Sequence, residues 1–215
     1  MTNDGDSLNA LLGMLSVWER TRLSAPCVWG LPLATHPQSL GWMHPRDTKP
    51  RRRAGFPSWS WAGWEGGANI DLLLRQVSAA TVLPGVRDPV RDLTVRYVGL
   101  DGKKLTVEGW TVDLDIRTEP FSEVMVPGTD ELMGMVVERN FSHPTTLPSG
   151  TYSCLVVDRV KYRIVEDGKV FQKVFMLVLE WAGEVARRRT VITLTTVGGG
   201  EFLCVKPAQK KVALI

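Results

Sequence analysis

From about residue 90 onward the chain alternates between apolar and polar residues, and this pattern constrains its fold more than any other feature. In "WTVDLDIRT" (110–118), Trp110, Val112, Leu114 and Ile116 interleave with Thr111, Asp113, Asp115 and Arg117. Successive side chains of a strand point to opposite faces, so this segment reads as a half-buried strand. "DLTVRYVGLDGKKLTVEGW" reads as a hairpin, because Asp101-Gly102 tolerates the positive φ of a tight turn. "YSCLVVDRVKYRIVEDGKVFQKVFMLVLEW" repeats the pattern with longer arms and Asp167-Gly168 at its turn. "RRTVITLTTVGGGEFLCV" offers two further short strands around a glycine-rich connection. Residues 118–150 form a long connection with one strand around Met133 to Glu138. The expected class is α+β, mainly β: an antiparallel β-rich domain over 67–215, sandwich or barrel-like, with no internal repeat at solenoid periods.

What precedes that region has a different texture. "SLNALLGMLSVW" (7–18) places Leu8, Leu11, Leu12, Leu15 and Trp18 at helical spacing. Asp6 or Ser7 can cap its start by accepting an unpaired backbone N–H, so an amphipathic N-terminal helix is expected. From Pro26 to Pro57 the chain is rich in proline (Pro32, Pro37, Pro45, Pro50). Proline donates no hydrogen bond to a ladder, so this stretch reads as an irregular wrap. Helix and wrap together make a junction segment over 1–66.

"FPSWSWAGW" (56–64) spends three tryptophans on nine residues, and "KPRRRAG" stands immediately before it. In an extended conformation Trp59 and Trp61 share a face, with Ser58 and Ser60 on the other. One reading is a binding surface in which Trp59, Trp61 and Trp64 stack a base or sugar and Arg51, Arg52 and Arg53 hold phosphate. The other is packing, with indoles buried and their N–H groups bonded to backbone carbonyls. Large aromatic side chains are buried more often than displayed, which favours packing. The second basic run, "ARRR" (186–189), reads as a solvated strand end.

No catalytic constellation is visible, and the expectation is a non-enzyme with no cofactor and no metal. His36, His44 and His143 sit in proline-rich, loop-like contexts, and no Gly-x-Ser-x-Gly elbow is present. Cys27, Cys154 and Cys204 are far apart and odd in number, which fits neither a disulfide framework nor a metal site. "GGGE" (198–201) lacks the lysine and helix of a phosphate-binding loop. Asp113 and Asp115 share the wet face of a strand. The net charge of +3 is too mild to argue nucleic-acid binding. No run of about eighteen apolar residues exists, and acidic residues stand where a signal peptide carries basic ones. A cytoplasmic location without membrane insertion is therefore expected.

Several segments, "DSLNALLGML" (6–15), "WGLP" (29–32), "RRAGFPSWSWAGWEG" (52–66) and "LVLEWAGEVARR" (177–188), together resemble one family. They look like the region that follows the HET domain in fungal heterokaryon-incompatibility proteins, in the order found there. The most specific string is Pro57-Ser58-Trp59-Ser60-Trp61-Ala62-Gly63-Trp64. The HET domain itself, the part associated with cell-death signalling, has no counterpart in this chain, so the resemblance transfers no active-site residue. It implies an interaction or regulatory module linked to nonself recognition and programmed cell death. The implied partner is a protein, a HET-domain protein among the candidates, engaged through the N-terminal helix. Nucleic acid is not the expected partner; the alternative is an anionic-ligand or single-stranded nucleic-acid module built on the Arg/Trp-rich segment.

Overall fold

The computed structural model describes residues 27–45, 50–68, 95–117, 123–125, 128, 132–136, 147–163, 170–197 and 208–215. The helix expected over 7–18, the Asp167-Gly168 turn and the strand expected after the triple glycine lie outside these residues. Among the described residues there is no α-helix, and the chain is mainly β. The strands are β1 (Arg51–Arg52), β2 (Trp64–Glu65), β3 (Arg96–Asp101), β4 (Lys104–Arg117) and β5 (Glu123–Met125). They continue with β6 (Leu132–Val136), β7 (Gly150–Arg163), β8 (Val170–Ala182), β9 (Val185–Val197) and β10 (Ala208–Leu214).

The hairpins follow from local chemistry. β3 and β4 pair from Asp101↔Lys104 outward, and Gly102 at the turn takes φ +59°, a conformation that glycine adopts without steric cost. β7 and β8 pair from Ser153↔Leu179 to Arg163↔Val170, the long-armed hairpin expected from the alternation. β8 and β9 join through a two-residue loop at Gly183, φ +65°, which the sequence reading did not anticipate. β6 matches the strand expected in the long connection, whereas β5 and β10 were not foreseen.

β4 is the hub of the sheet. It takes β3 and β10 along its first half and β7 and β5 along its second. The pairings close two rings that share β4, β7, β8 and β9. One is completed by β5 and β6, and all its neighbours are antiparallel. The other is completed by β10, which pairs with β9 in parallel at Ala213↔Val185 and Leu214↔Ala186. The sheet is otherwise antiparallel, as expected for this β-rich region, and the reason for the one parallel pair is parity. A ring of five strands cannot alternate direction all the way round, so one neighbouring pair must run parallel.

Two apolar cores lie on opposite faces of the central strands. On β8, Val174, Met176 and Val178 belong to one, and Leu177 and Leu179 to the other. Both faces being buried explains the unbroken apolar run "VFMLVL" at 174–179, where a half-wet strand would alternate. The second core includes Val112, Leu114 and Ile116, the apolar face expected for β4. The first gathers Leu105, Val107, Leu155, Val212 and Leu214 from the sheet and Leu31, Leu33, Leu40, Trp42, Met43 and Trp59 from the wrap. The proline-rich wrap is thus an ordered part of the core. Burying each such side chain contributes about 1.5–3 kcal/mol.

Candidate functional site

The wrap begins with a tight reversal at Trp29-Gly30. Val28 and Leu31 exchange both backbone hydrogen bonds, at 2.7 and 3.0 Å, around two residues of positive φ (Trp29 +49°, Gly30 +84°). That pairing of conformations matches the right-handed twist of the flanking chain. Trp29 is an unusual occupant of this region, and three contacts hold it there. Its indole donates to Gly102 O, its carbonyl accepts from Ser60 Oγ at 2.6 Å, and its ring meets Phe56 edge-on at 5.9 Å. The Trp61 indole lies directly over Gly30 and donates to its carbonyl at 3.1 Å. A Cβ on Gly30 would stand 2.5 Å from that ring, which explains glycine after tryptophan in "WGLP".

The signature "FPSWSWAGW" does not run as a strand. It passes through turns, then a 3-10 turn at Trp61–Gly63 whose start is capped by Ser60, and enters β2 at Trp64. The facing of Trp59 and Trp61 argued from an extended chain therefore does not apply. Trp59 is fully buried, and Trp61 and Trp64 are half-buried. Each indole N–H of this segment donates to a backbone carbonyl: Trp59 to Lys103 O, Trp61 to Gly30 O, Trp64 to Ser58 O. Trp42, also buried, donates to Trp59 O at 2.8 Å. Gly63 packs against main chain so closely that a Cβ would meet Pro57 O at 2.2 Å.

The arginines divide by task. Arg51 is exposed and pairs with Glu65 across β1–β2. That guanidinium, by hydrogen bond and by charge, holds the Glu65 carboxyl below its ordinary value. Arg52 is spent on main chain: it donates to Arg53 O, Phe56 O and Gly63 O and lies over the Trp64 ring at 5.7 Å, tying the loop 53–63 into one unit. Burial, with Arg187 nearby, lowers its pKa. Arg53 reaches Ala62 O at 3.4 Å.

Two groups absent from the expected set complete the seam. Arg188, on β9, is buried; it donates to Leu40 O at 3.0 Å and to Trp42 O, and stacks on the Trp42 ring 3.7 Å from its centroid. Burial pushes its pKa down to about 9, which leaves it cationic at neutral pH. Within "ARRR", Arg187 and Arg189 are exposed, as a solvated strand end requires, and only the burial of Arg188 departs from that expectation. A register shift opposite Val178 and Leu179 makes Arg189 an extra residue on β9, so Ala186, Arg188 and Val191 face the same core. Ser58 accepts from Arg188 N at 3.2 Å and donates to Ile215 O, joining the signature to β9 and to the end of β10. Sequence reasoning set the serines on the far face from the tryptophans. The signal that points to them is small hydroxyl residues inside a turn, where they bond to nearby main chain.

Beside the seam lies a cleft of about 530 Å³, bordered by Arg52, Lys103, Arg187, Arg188 and Arg189, with Glu180 the one acidic side chain of its lining. Elsewhere, His36 bonds to Thr35, and His44 holds Gly67 O at 2.8 Å with its ring edge-on to Trp42 and Trp64. His143 lies outside the described residues. Burial, reinforced by Asp113, pushes the Cys154 thiol well up, so it behaves as a small core residue. Among the described residues no group of three or more His, Cys, Asp or Glu is placed to hold a metal ion, and no helix is long and apolar enough to cross a membrane. No family model, curated protein or solved structure matches the chain.

Proposed function

We propose that this chain is a non-catalytic interaction and regulatory module of the kind that follows the HET domain in fungal heterokaryon-incompatibility proteins, acting in the cytoplasm in nonself recognition and programmed cell death. One observation carries the reading. The segments bearing the resemblance, apart from the one at 6–15, are remote in sequence yet meet in space. Trp61 of the signature bonds to Gly30 of "WGLP", Ser60 bonds to Trp29, and Ser58 accepts from Arg188 of "LVLEWAGEVARR". Residues that build one seam must occur together in any chain sharing it, so their co-occurrence is evidence of common architecture rather than of chance composition. The indoles are engaged with main chain, which counts against the tryptophans as a stacking platform for single-stranded nucleic acid. The surface left for a protein includes Trp181, 42% exposed beside the β8–β9 turn.

Co-expression with HET-domain proteins in a filamentous fungus tests the proposal. The expected result is a change in the frequency of cell death that Trp181→Ala reduces, together with co-purification of the two chains. Unaltered death with every HET-domain protein tried, and no co-purification, would remove the reading.

A further inference from the structure

The cleft beside the seam collects positive charge that the packing of the seam does not require. Arg188 and Arg52 are committed to backbone carbonyls, whereas Arg187, Arg189 and Lys103 are exposed at the rim, Arg189 with its guanidinium 5.8 Å from the centroid of the Tyr152 ring. No carboxylate among the described residues is ion-paired with any of the three. Glu180 stands directly across the ladder from Arg187 without forming such a pair. Arg187 is also close enough to Arg52 for the two guanidinium charges to repel each other. Folding sets these like charges around one concavity against their repulsion, an arrangement that an anion relieves. Phe56, Pro57 and Trp64 supply apolar wall, and about 530 Å³ falls in the range of small-molecule sites.

We propose that this cleft binds a small phosphate-bearing molecule, with the Arg187 and Arg189 guanidinium groups and the Lys103 ammonium holding its phosphate oxygens and Phe56 and Pro57 bordering its organic part. Guanidinium groups match phosphate oxygens in pairs, and the ammonium adds a point charge. Arg52, oriented by its three carbonyl partners, contributes field rather than a movable contact. This site differs from the Arg51–Arg53 platform considered for the sequence: only Arg52 of that run takes part, and the binding cations come from β9 and the β3–β4 turn.

The test is calorimetric titration of the whole chain with inorganic pyrophosphate and with adenosine monophosphate, at constant ionic strength. Saturable binding of at least one probe is expected. Arg187→Glu with Arg189→Glu should weaken it about tenfold or more while leaving the unfolding temperature near wild type, since both side chains are exposed. Lys210→Glu, an exposed charge reversal on β10, should leave affinity within about twofold of wild type. Tighter binding of adenosine monophosphate than of pyrophosphate assigns the apolar wall to the ligand's organic part; the reverse order leaves the phosphate site standing and withdraws that wall. Equal losses from Lys210→Glu and the double variant, or no saturable binding of either probe, would overturn the proposal. A single-stranded oligonucleotide binding far more tightly than both probes would overturn it as well.

Discussion

The β7–β8–β9 sheet and the wrap that crosses it reach comparable burial by opposite means. In the sheet, stability is spread over a ladder and two aliphatic cores, where Val174, Met176, Val178 and Ile192 do similar things. In the wrap, few backbone groups find ladder partners. Carbonyls of Gly30, Leu40, Trp42, Ser58 and Trp59 are satisfied one at a time by an indole or a guanidinium. A buried carbonyl must be paired wherever the chain runs. A ladder meets that demand with any residue type, whereas an irregular segment meets it with particular side chains at particular positions. The sheet should therefore tolerate conservative change, and the wrap should not.

The sharpest break of this comparison is Gly63→Ala. The added Cβ would stand 2.2 Å from Pro57 O, a main-chain atom inside a loop already tied by Arg52. A loss of about 4 kcal/mol or more is expected, read from urea unfolding. Gly30→Ala should follow at about 3 kcal/mol, since it combines a φ of +84° with a ring 2.5 Å away. A loss below about 1 kcal/mol at both sites would show that the wrap relaxes cheaply, and the contrast would fail.

Next in size is Arg188→Ala. It strips the carbonyls of Leu40 and Trp42 of their donor and removes the cation stacked on Trp42, at an expected cost of about 3 kcal/mol. Arg188→Lys should recover less than half of that, because an ammonium lacks the planar fork that spans two carbonyls and lies flat on an indole. Thermal unfolding followed by tryptophan fluorescence reads both variants. Full recovery by lysine would mean that charge alone matters there.

The same contrast explains what the sequence made legible. Period-two alternation and Asp101-Gly102 revealed β3, β4, β7 and β8, because ladders follow local rules. Arg188 was hidden because the extra residue at Arg189 shifts the parity that a reader extrapolates from Val191. Ring closure was hidden because the pairing of Leu214 with Ala186 is a non-local fact about two short segments. In the candidate site, tryptophan density marked the right segment, and the preference for buried aromatics indicated that it packs. The run of arginines did not announce that Arg52 serves carbonyls while Arg51 serves a carboxylate. The cleft was invisible, since Lys103, Arg187 and Arg189 come together only through the fold.

Within the sheet the expected effects shrink. Ile192→Val on β9 removes one methyl group from the second core, with equivalent aliphatic neighbours on β8 and β4, and should cost about 1 kcal/mol. Chemical denaturation of this variant beside Arg188→Ala gives the comparison a number. A ratio near one would say that both regions are equally demanding.

The smallest expected effect lies at the outer edge of the wrap, where Arg51 meets Glu65 across β1–β2. Both side chains are at least half exposed, so the pair should barely alter global unfolding at neutral pH. Its signature is instead local and pH-dependent. Arg51 holds the Glu65 carboxyl below its ordinary value, so the folded state binds a proton there less readily than the unfolded chain. The stabilisation is therefore present above the ordinary value of 4.5 and is lost as pH falls through the lower folded value. Carboxyl titration by NMR should place Glu65 below that ordinary value in the wild type and return it towards that value in Arg51→Ala, with faster amide exchange at β2 as the acid limit is approached. An ordinary titration in both proteins would make the pair a surface contact without energetic content, and the wrap's demand for particular side chains would end at Arg52.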